Sequence, residues 1–331
     1  SKYTPNIEIY SIDEAFLKFE GFDNYDLESY CKKIQKIVLK HTGIPISIGI
    51  APTKALSKVA NRIAKKFPEK TNGVYLIDSD KKKLRALKWL KIKDVWGIGF
   101  RHTERLKNIR VNTAFDFINL EDGWVKKNMS IVGLRLKKEL EGESVLRLEE
   151  VRSPKKAIAT TRSFEGTITN YEKIKERIST FAICCAEKLR AQKSNCSSIY
   201  VFVRSNKFQK NKPQYRNGIV MTIPFSTNSN IVISRYAVEA LKKIFKRNIH
   251  YKKAGVIVLG LSSINNYQYN LFENEDIKHQ NLMRTIDFIQ KKEGQSKIKL
   301  ASQDLKKRWK MKQEKLSANY TCKINEIIKV K

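Results

Sequence analysis

The stretch IEIYSIDEAFLKFEG, residues 7–21, limits the possible fold more than any other part of the chain. Two adjacent carboxylates, Asp13 and Glu14, interrupt a run of Ile7, Ile9, Tyr10, Ile12, Ala15, Phe16, Leu17 and Phe19. β-Branched and aromatic residues at this density predict a strand, apolar on both faces and therefore covered on both. Two acids inside such a run are costly without a compensating positive group. Successive residues of a regular strand point to opposite faces. Asp13 and Glu14 can therefore reach one cation together only if the chain bends between them, as at a hairpin tip. A bent pair would make an all-oxygen site suited to Mg2+, bridging protein carboxylates and phosphates.

The pattern then alternates. YDLESYCKKIQKIVLKHTG (25–43) predicts an amphipathic helix with Tyr30, Ile34, Ile37 and Val38 on its apolar face. IPISIGIA (44–51) reads as a short buried strand, PTKALSKVANRIAKKFP (52–68) as a helix stopped by Pro68, and GVYLID (73–78) as another strand. This order belongs to a sheet of the α/β or α+β kind. Residues 80–145 are helical in short pieces, and LEEVRSPKK (148–156) is a charged tether. Beyond it, strands at KKAIATTRSF, SSIYVFVRS, GIVMTIPF and KKAGVIVLGLSS and helices at 171–192 and 233–247 predict a four-stranded, two-helix α+β domain. From about residue 263 the chain is polar and basic with little periodicity, which predicts a tail with one or two short helices.

Charge narrows the function. The 331 residues carry 66 Lys+Arg against 33 Asp+Glu, a formal net charge of +33. That balance points to a polyanion, nucleic acid ahead of anionic lipid. A Lys-rich coding bias would also raise Lys, but it usually brings Glu with it. The five cysteines, Cys31, Cys184, Cys185, Cys196 and Cys322, form no CxxC pair and the four histidines are scattered, so neither zinc nor a disulfide framework is suggested. That usage fits a reducing cytoplasm. No apolar run approaches the ~18 residues of a membrane span, so no membrane partner is expected.

Two motifs sharpen the nucleic-acid reading. Lys54, Lys58, Arg62 and Lys65 fall at steps of four, four and three along one helix, opposite Ala55, Leu56, Val59, Ala60 and Ile63. The stripe holds no acid, so no i,i+4 ion pair relieves its repulsion. It reads as a phosphate-facing surface, although an ordinary solvated helix face shares the pattern. DVWGIGFRHTERL (94–106) has the form of a helix-hairpin-helix turn. Gly97 and Gly99 would let the backbone approach closely, the following helix would aim its N–H groups at an anion, and Arg101 and Arg105 would add charge. Such a turn contacts a DNA backbone without reading sequence. A plain helix turn remains the alternative.

Together these residues carry a resemblance. YSIDEAFLKF (10–19) followed by SIGIAPTKALSKVANRIAKK (47–66) resembles the palm of the Y-family, lesion-bypass DNA polymerases. DVWGIGFRHTERL resembles their thumb, and TTRSF (160–164) the first strand of their little finger. YKKAGVIV (251–258), the NLF segment (270–272) and the ending WKMKQEKLSANYTCKINEIIKVK are similar to the branch holding the catalytic subunit of bacterial DNA polymerase V. The resemblance implies an α+β protein divided into a partial palm (1–80), a thumb (81–147), a tether (148–156), a little finger (157–263) and a C-terminal tail (264–331). It implies error-prone translesion synthesis in the SOS response to DNA damage.

Carried over by position, Asp13 and Glu14 would be the catalytic carboxylates, holding two Mg2+ ions in the complete enzyme. Lys65 would contact the incoming dNTP, with Lys54 in the same neighbourhood. Lys58, Arg62, Gly97, Gly99, Arg101 and Arg105 would contact primer-template DNA, as would Arg162, Arg204, Lys207 and Arg216 on the little finger. QYNLF, with Gln268, Leu271 and Phe272, resembles the pentapeptide by which bacterial polymerases dock on the sliding clamp, although two stray hydrophobes in a tail would look the same. Regulatory subunits of polymerase V, a recombinase filament and a nucleoid-associated place in the cytoplasm are implied by resemblance alone.

The sequence also departs from that family. Its members begin with a strand carrying another metal-binding Asp, then an aromatic steric gate and a fingers domain. Here SKYTPNIEIYS, without an initiator Met, leads straight into the second motif. The expectation is an N-terminally truncated polymerase that starts mid-palm with a sheet edge unpaired. Two functional expectations follow: a Mg2+-dependent polymerase whose remainder lies in a parent protein, or a non-catalytic fragment that binds DNA and the clamp.

Overall fold

In the computed structural model the opening run forms a hairpin. β1 (Ile7–Ile9) pairs antiparallel with β2 (Ala15–Leu17), Ile7 opposite Leu17 and Ile9 opposite Ala15. Tyr10 N and Ser11 N both donate to Glu14 O at 3.0 Å and close the turn. The expected covering of both faces is not found, because Ile9, Tyr10 and Ile12 are exposed. Two three-residue strands that pair with each other carry their tip out into solvent. The structure describes residues 2–149, 154–209, 211–265, 277–294, 297–303, 316–320 and 322–327. Contacts divide the chain into two units, Ser1–Arg152 and Ser153–Lys331.

In the first unit Asp26 caps α1 (Leu27–Thr42) by accepting from Glu28 N and Ser29 N, and left-handed Gly43 ends it. β3 (Ile48–Ile50) runs parallel to β4 (Val74–Leu76), in a sheet separate from the hairpin. α2 (Lys54–Lys66), capped by Thr53, crosses β3 at Gly49. A Cβ at Gly49 would overlap the backbone of Ser57 and Asn61, so only glycine lets helix and strand lie this close. α3 (Pro68–Thr71) and α4 (Asp80–Trp89) follow, then a 3-10 turn at Ile92–Asp94. α5 (Phe100–Asn108), α6 (Ala114–Ile118) and α7 (Asp122–Glu141) complete the unit, and α7 is broken at Ser130. One core runs from Ala55 and Leu56 of α2 through Leu87 and Leu106 to Phe117 and Leu140, joining the residues on both sides of position 80.

The second unit is a four-stranded antiparallel sheet. Its strands are β5 (Ile158–Ile168), β6 (Ser194–Ser205), β7 (Arg216–Thr227) and β8 (Tyr251–Ser263), in the order β5-β8-β6-β7. α8 (Tyr171–Ala191) and α9 (Asn230–Ile244) bury Ile178, Phe181 and Ile233 against Val201, Val256 and Val258 on one face.

The polar tail expected after residue 263 is corrected over one stretch. α10 (Ile277–Glu293) is a 17-residue helix with Met283 and Ile286 buried. Arg190 of α8 grips Asp287 through two hydrogen bonds of 2.6 and 2.7 Å. Two apolar residues three apart are too few to register as a periodic stripe, yet they suffice when a buried arginine supplies the rest. Among the described residues no helix is long and apolar enough to cross a membrane.

Candidate functional site

The hairpin turn puts Asp13 and Glu14 side by side at its tip, both exposed, where strand alternation has ended. Asp13 Oδ1 accepts from Ser11 Oγ at 2.5 Å, and Glu14 Oε1 accepts from Lys58 Nζ at 2.5 Å. Both carboxylates are hard oxygen donors of the kind Mg2+ takes. No group of three His, Cys, Asp or Glu that could hold a metal occurs among the described residues. By donor chemistry the pair fits a hard cation.

Helix α2 lies along the hairpin, and the structure gives its basic stripe partners that the sequence reading did not anticipate. Lys54 Nζ binds Glu8 and donates to Arg147 O at 2.8 Å. Glu8 also accepts from Glu149 N at 2.8 Å. Arg62 pairs with Asp94 at 2.7 Å, and Lys65 alone of the four stays exposed with no partner among the described residues. The expected lack of relief from repulsion considered only acids within the helix. The acids that pair with the stripe come from the hairpin and from the segment before α5. Lys54 is committed to a buried structural pair, and Lys65 is the cation left facing solvent.

The aromatic ring system fixes the hairpin further. Trp96 Nε1 donates to Tyr10 Oη at 2.9 Å, and Tyr10, Phe16 and Trp96 meet edge to face at 5.5–5.9 Å. Lys54 lies 5.1 Å from the Phe16 ring centroid and Lys58 5.7 Å from that of Tyr10. Glu8 was missed in the sequence because an acid between two isoleucines looks like the solvent face of a strand. Its only sequence signal was that it stands six residues before Glu14, in the same hairpin.

At the glycine turn, Gly97 has φ +85°, a conformation that a side chain adopts only with strain. Gly99 is extended, at φ −84°, with open space where a Cβ would stand, and starts α5 without a side-chain cap. Arg101 is exposed without a partner among the described residues, whereas Arg105 donates to Asn128 O at the break in α7.

On the second unit, Ser163, Lys253, Arg204 and Arg216 form one row across all four strands, on the face away from α8 and α9. Three cations directly opposite one another repel, which an anionic partner would relieve. Tyr200 and Phe202 stack on this face at 5.8 Å, and the Arg204 guanidinium sits 4.7 Å over Phe202. Lys253 was missed by the sequence reading; its signal was the KK pair opening β8. Arg162 is in register with buried Ala254, so its side chain leaves from the helix-covered face, and it cannot line one surface with Arg204 and Arg216. Lys207 is exposed in the loop after β6. Gln268, Leu271 and Phe272 lie outside the described residues.

Residues 1–62 match the impB/mucB/samB family and residues 155–271 its C-terminal domain. Residues 280–330 match a domain of unknown function, DUF4113. The chain is 35% identical to Protein UmuC of Salmonella typhimurium over 330 residues, 99% of this chain and 78% of the relative. It is 24% identical to DNA polymerase IV of Clostridium acetobutylicum, over 90% of this chain and 72% of that one. Among solved structures, a Y-family DNA polymerase chimera, Dbh-Dpo4(243-245)-Dbh, has the same fold, with a TM-score of 0.57 and 18% identity over 81% of this chain and 73% of the other.

Proposed function

Because the chain belongs to the Y-family of DNA polymerases, in its impB/mucB/samB branch, we propose that it serves Mg2+-dependent, template-directed DNA synthesis past damaged bases, with Asp13 and Glu14 as the metal-holding carboxylates. One observation carries the reading: two adjacent carboxylates stand at an exposed hairpin tip with a lysine-bearing helix laid alongside. A divalent cation bound there would neutralise the triphosphate and lower the pKa of the primer 3′-hydroxyl.

The chain's own residues supply the rest. Glu14 and Asp13 fix the position of the cation, and the Lys54–Glu8 pair fixes the hairpin that carries them. Lys65, exposed and without a partner among the described residues, contacts the triphosphate. Gly99 and the uncapped start of α5 approach the primer backbone, with Arg101 beside them. The row of Lys253, Arg204 and Arg216 follows the duplex by its phosphates, which gives affinity without sequence preference. A sliding clamp engaging Gln268, Leu271 and Phe272, and regulatory subunits with a recombinase filament, belong to the same reading.

A second reading is favoured by the donor count. Among the described residues two carboxylates form a sparse metal site, and a chain that holds DNA and a clamp without polymerising would need no more. Primer extension with Mg2+ and dNTPs separates the two. Incorporation that disappears in Asp13→Ala supports synthesis. Salt-sensitive DNA binding with no incorporation supports the fragment.

A further inference from the structure

Helix α2 meets the hairpin through two lysines one turn apart, and their contacts differ in kind. Lys54 reaches Glu8, which faces Phe16 across the hairpin, and both charged side chains are about nine-tenths buried, at 11% and 9% exposed. A second donor, Glu149 N, and a second acceptor, Arg147 O, complete that contact. Lys58 reaches Glu14 at the tip, with the two side chains 20% and 40% exposed. Among the described residues no second acceptor holds the Lys58 ammonium, which also lies 5.7 Å from the Tyr10 ring centroid. One contact is a fixed anchor, and the other is an open, single-point ion pair on a carboxylate that the site needs for something else.

We propose that Lys58 is the exchangeable counter-ion of the tip carboxylate. It holds Glu14 while no divalent cation is bound, and it gives up that oxygen when one arrives. Its ammonium is then free to turn to the phosphates of a nucleoside triphosphate. The proposal rests on the reading of Asp13 and Glu14 as cation ligands and adds the residue that competes for them. The physical basis is direct. An ammonium within 2.5 Å of a carboxylate oxygen and a divalent cation on the same carboxylate repel each other, so each weakens the other's hold on Glu14. The Tyr10 ring 5.7 Å away gives the displaced ammonium a nearby resting place, which keeps the cost of leaving small. Lys54 cannot play this part, because removing it from Glu8 would strand a buried carboxylate.

The alternative role for Lys58 is the opposite one: it pre-positions Glu14 and so favours the ion. The two roles differ in the sign of a binding measurement. Mn2+ is titrated into the whole chain, without nucleotide or DNA, and free ion is read by electron paramagnetic resonance. The proteins compared are the wild type, Lys58→Met, Lys58→Arg and Glu14→Gln. Competition predicts that Lys58→Met binds Mn2+ about five- to tenfold more tightly, the scale of one screened unit charge beside a divalent ion. It predicts that Lys58→Arg, which keeps the charge, stays close to wild type. Unchanged or weaker binding by Lys58→Met, with Glu14→Gln still abolishing the site, overturns the competitor role and leaves the metal site standing. Equal binding by Glu14→Gln and wild type overturns the metal reading, and this inference falls with it.

Discussion

The Glu8–Lys54 pair is the strongest test of how the carboxylate hairpin is held. Glu8→Ala leaves the Lys54 ammonium with Arg147 O and the Phe16 ring, and leaves Glu149 N without its acceptor. Stranding one partner of a fully buried pair costs about 3–5 kcal/mol. With a tenth of each side chain still exposed and one carbonyl still bonded to the lysine, we expect about 2–3 kcal/mol. A unit of this size unfolds in urea with a slope of about 2 kcal/mol/M, so the midpoint should fall by about 1 M. Tryptophan fluorescence reports mainly on it, because Trp89, Trp96 and Trp124 lie in the first unit and one tryptophan, Trp309, in the second. Combining Glu8→Gln with Lys54→Met should recover at least about 1 kcal/mol relative to the sum of the singles, since the double variant strands no charge. A shift below about 0.3 M for Glu8→Ala, or additive singles, would refute the reasoning and reduce the pair to a surface contact.

Gly97→Ala should cost about 1–2 kcal/mol through its positive φ alone, since the new Cβ would meet only the flexible end of Leu136 at 3.4 Å. Gly99→Ala should leave the urea midpoint unchanged yet weaken DNA binding measured by fluorescence anisotropy, because its side faces open space. Asp287→Asn removes the charge that Arg190 grips, and hydrogen exchange in α10 should then accelerate about tenfold or more while β6 and β8 keep their protection. Burial pushes Glu187 above the ordinary carboxylate range, against the pull of Arg190 and a hydrogen bond with Gln290. A raised folded-state pKa adds stability that is complete below the unfolded value and is lost as pH rises through the folded one. Glu187→Gln should therefore stabilise the second unit at pH 7, with the gain vanishing as pH falls to about 4.5, as followed by thermal melts.

What could be read from the sequence depended on whether a signal was local. Helices α1, α2, α8 and α9 and the strands of the second unit follow from periodicity and caps, because Asp26, Thr53, Asn170 and Ser229 each stand one residue before a helix and bond its free N–H groups. The bend at Asp13–Glu14 was also legible, as the condition under which both acids could serve one ion. The depth of burial was not. A run of isoleucines and aromatics reads as covered strand, and nothing within fifteen residues says that two three-residue strands will pair with each other and leave Ile12 in water. Sheet faces were lost for the same reason: Arg162 and Arg204 look alike in sequence, and only the register with Ala254 and Lys253 puts them on opposite sides.

The stripe on α2 shows where that limit lies. Four cations at helical spacing with no acid among them were read as one phosphate-facing surface. In the structure the stripe is graded along its length. Lys54 is spent on Glu8, Lys58 shares Glu14, Arg62 takes Asp94, and Lys65 keeps its charge for solvent. Each of those acids comes from a segment the helix meets only after folding, at separations of 46, 44 and 32 positions along the sequence. A helix-local count of ion pairs therefore could not have found them. The grading has a functional consequence. Cations locked into buried pairs set geometry, and cations on exposed single contacts remain available to a ligand. The same helix can then fix a carboxylate hairpin at one end and present an exposed cation at the other.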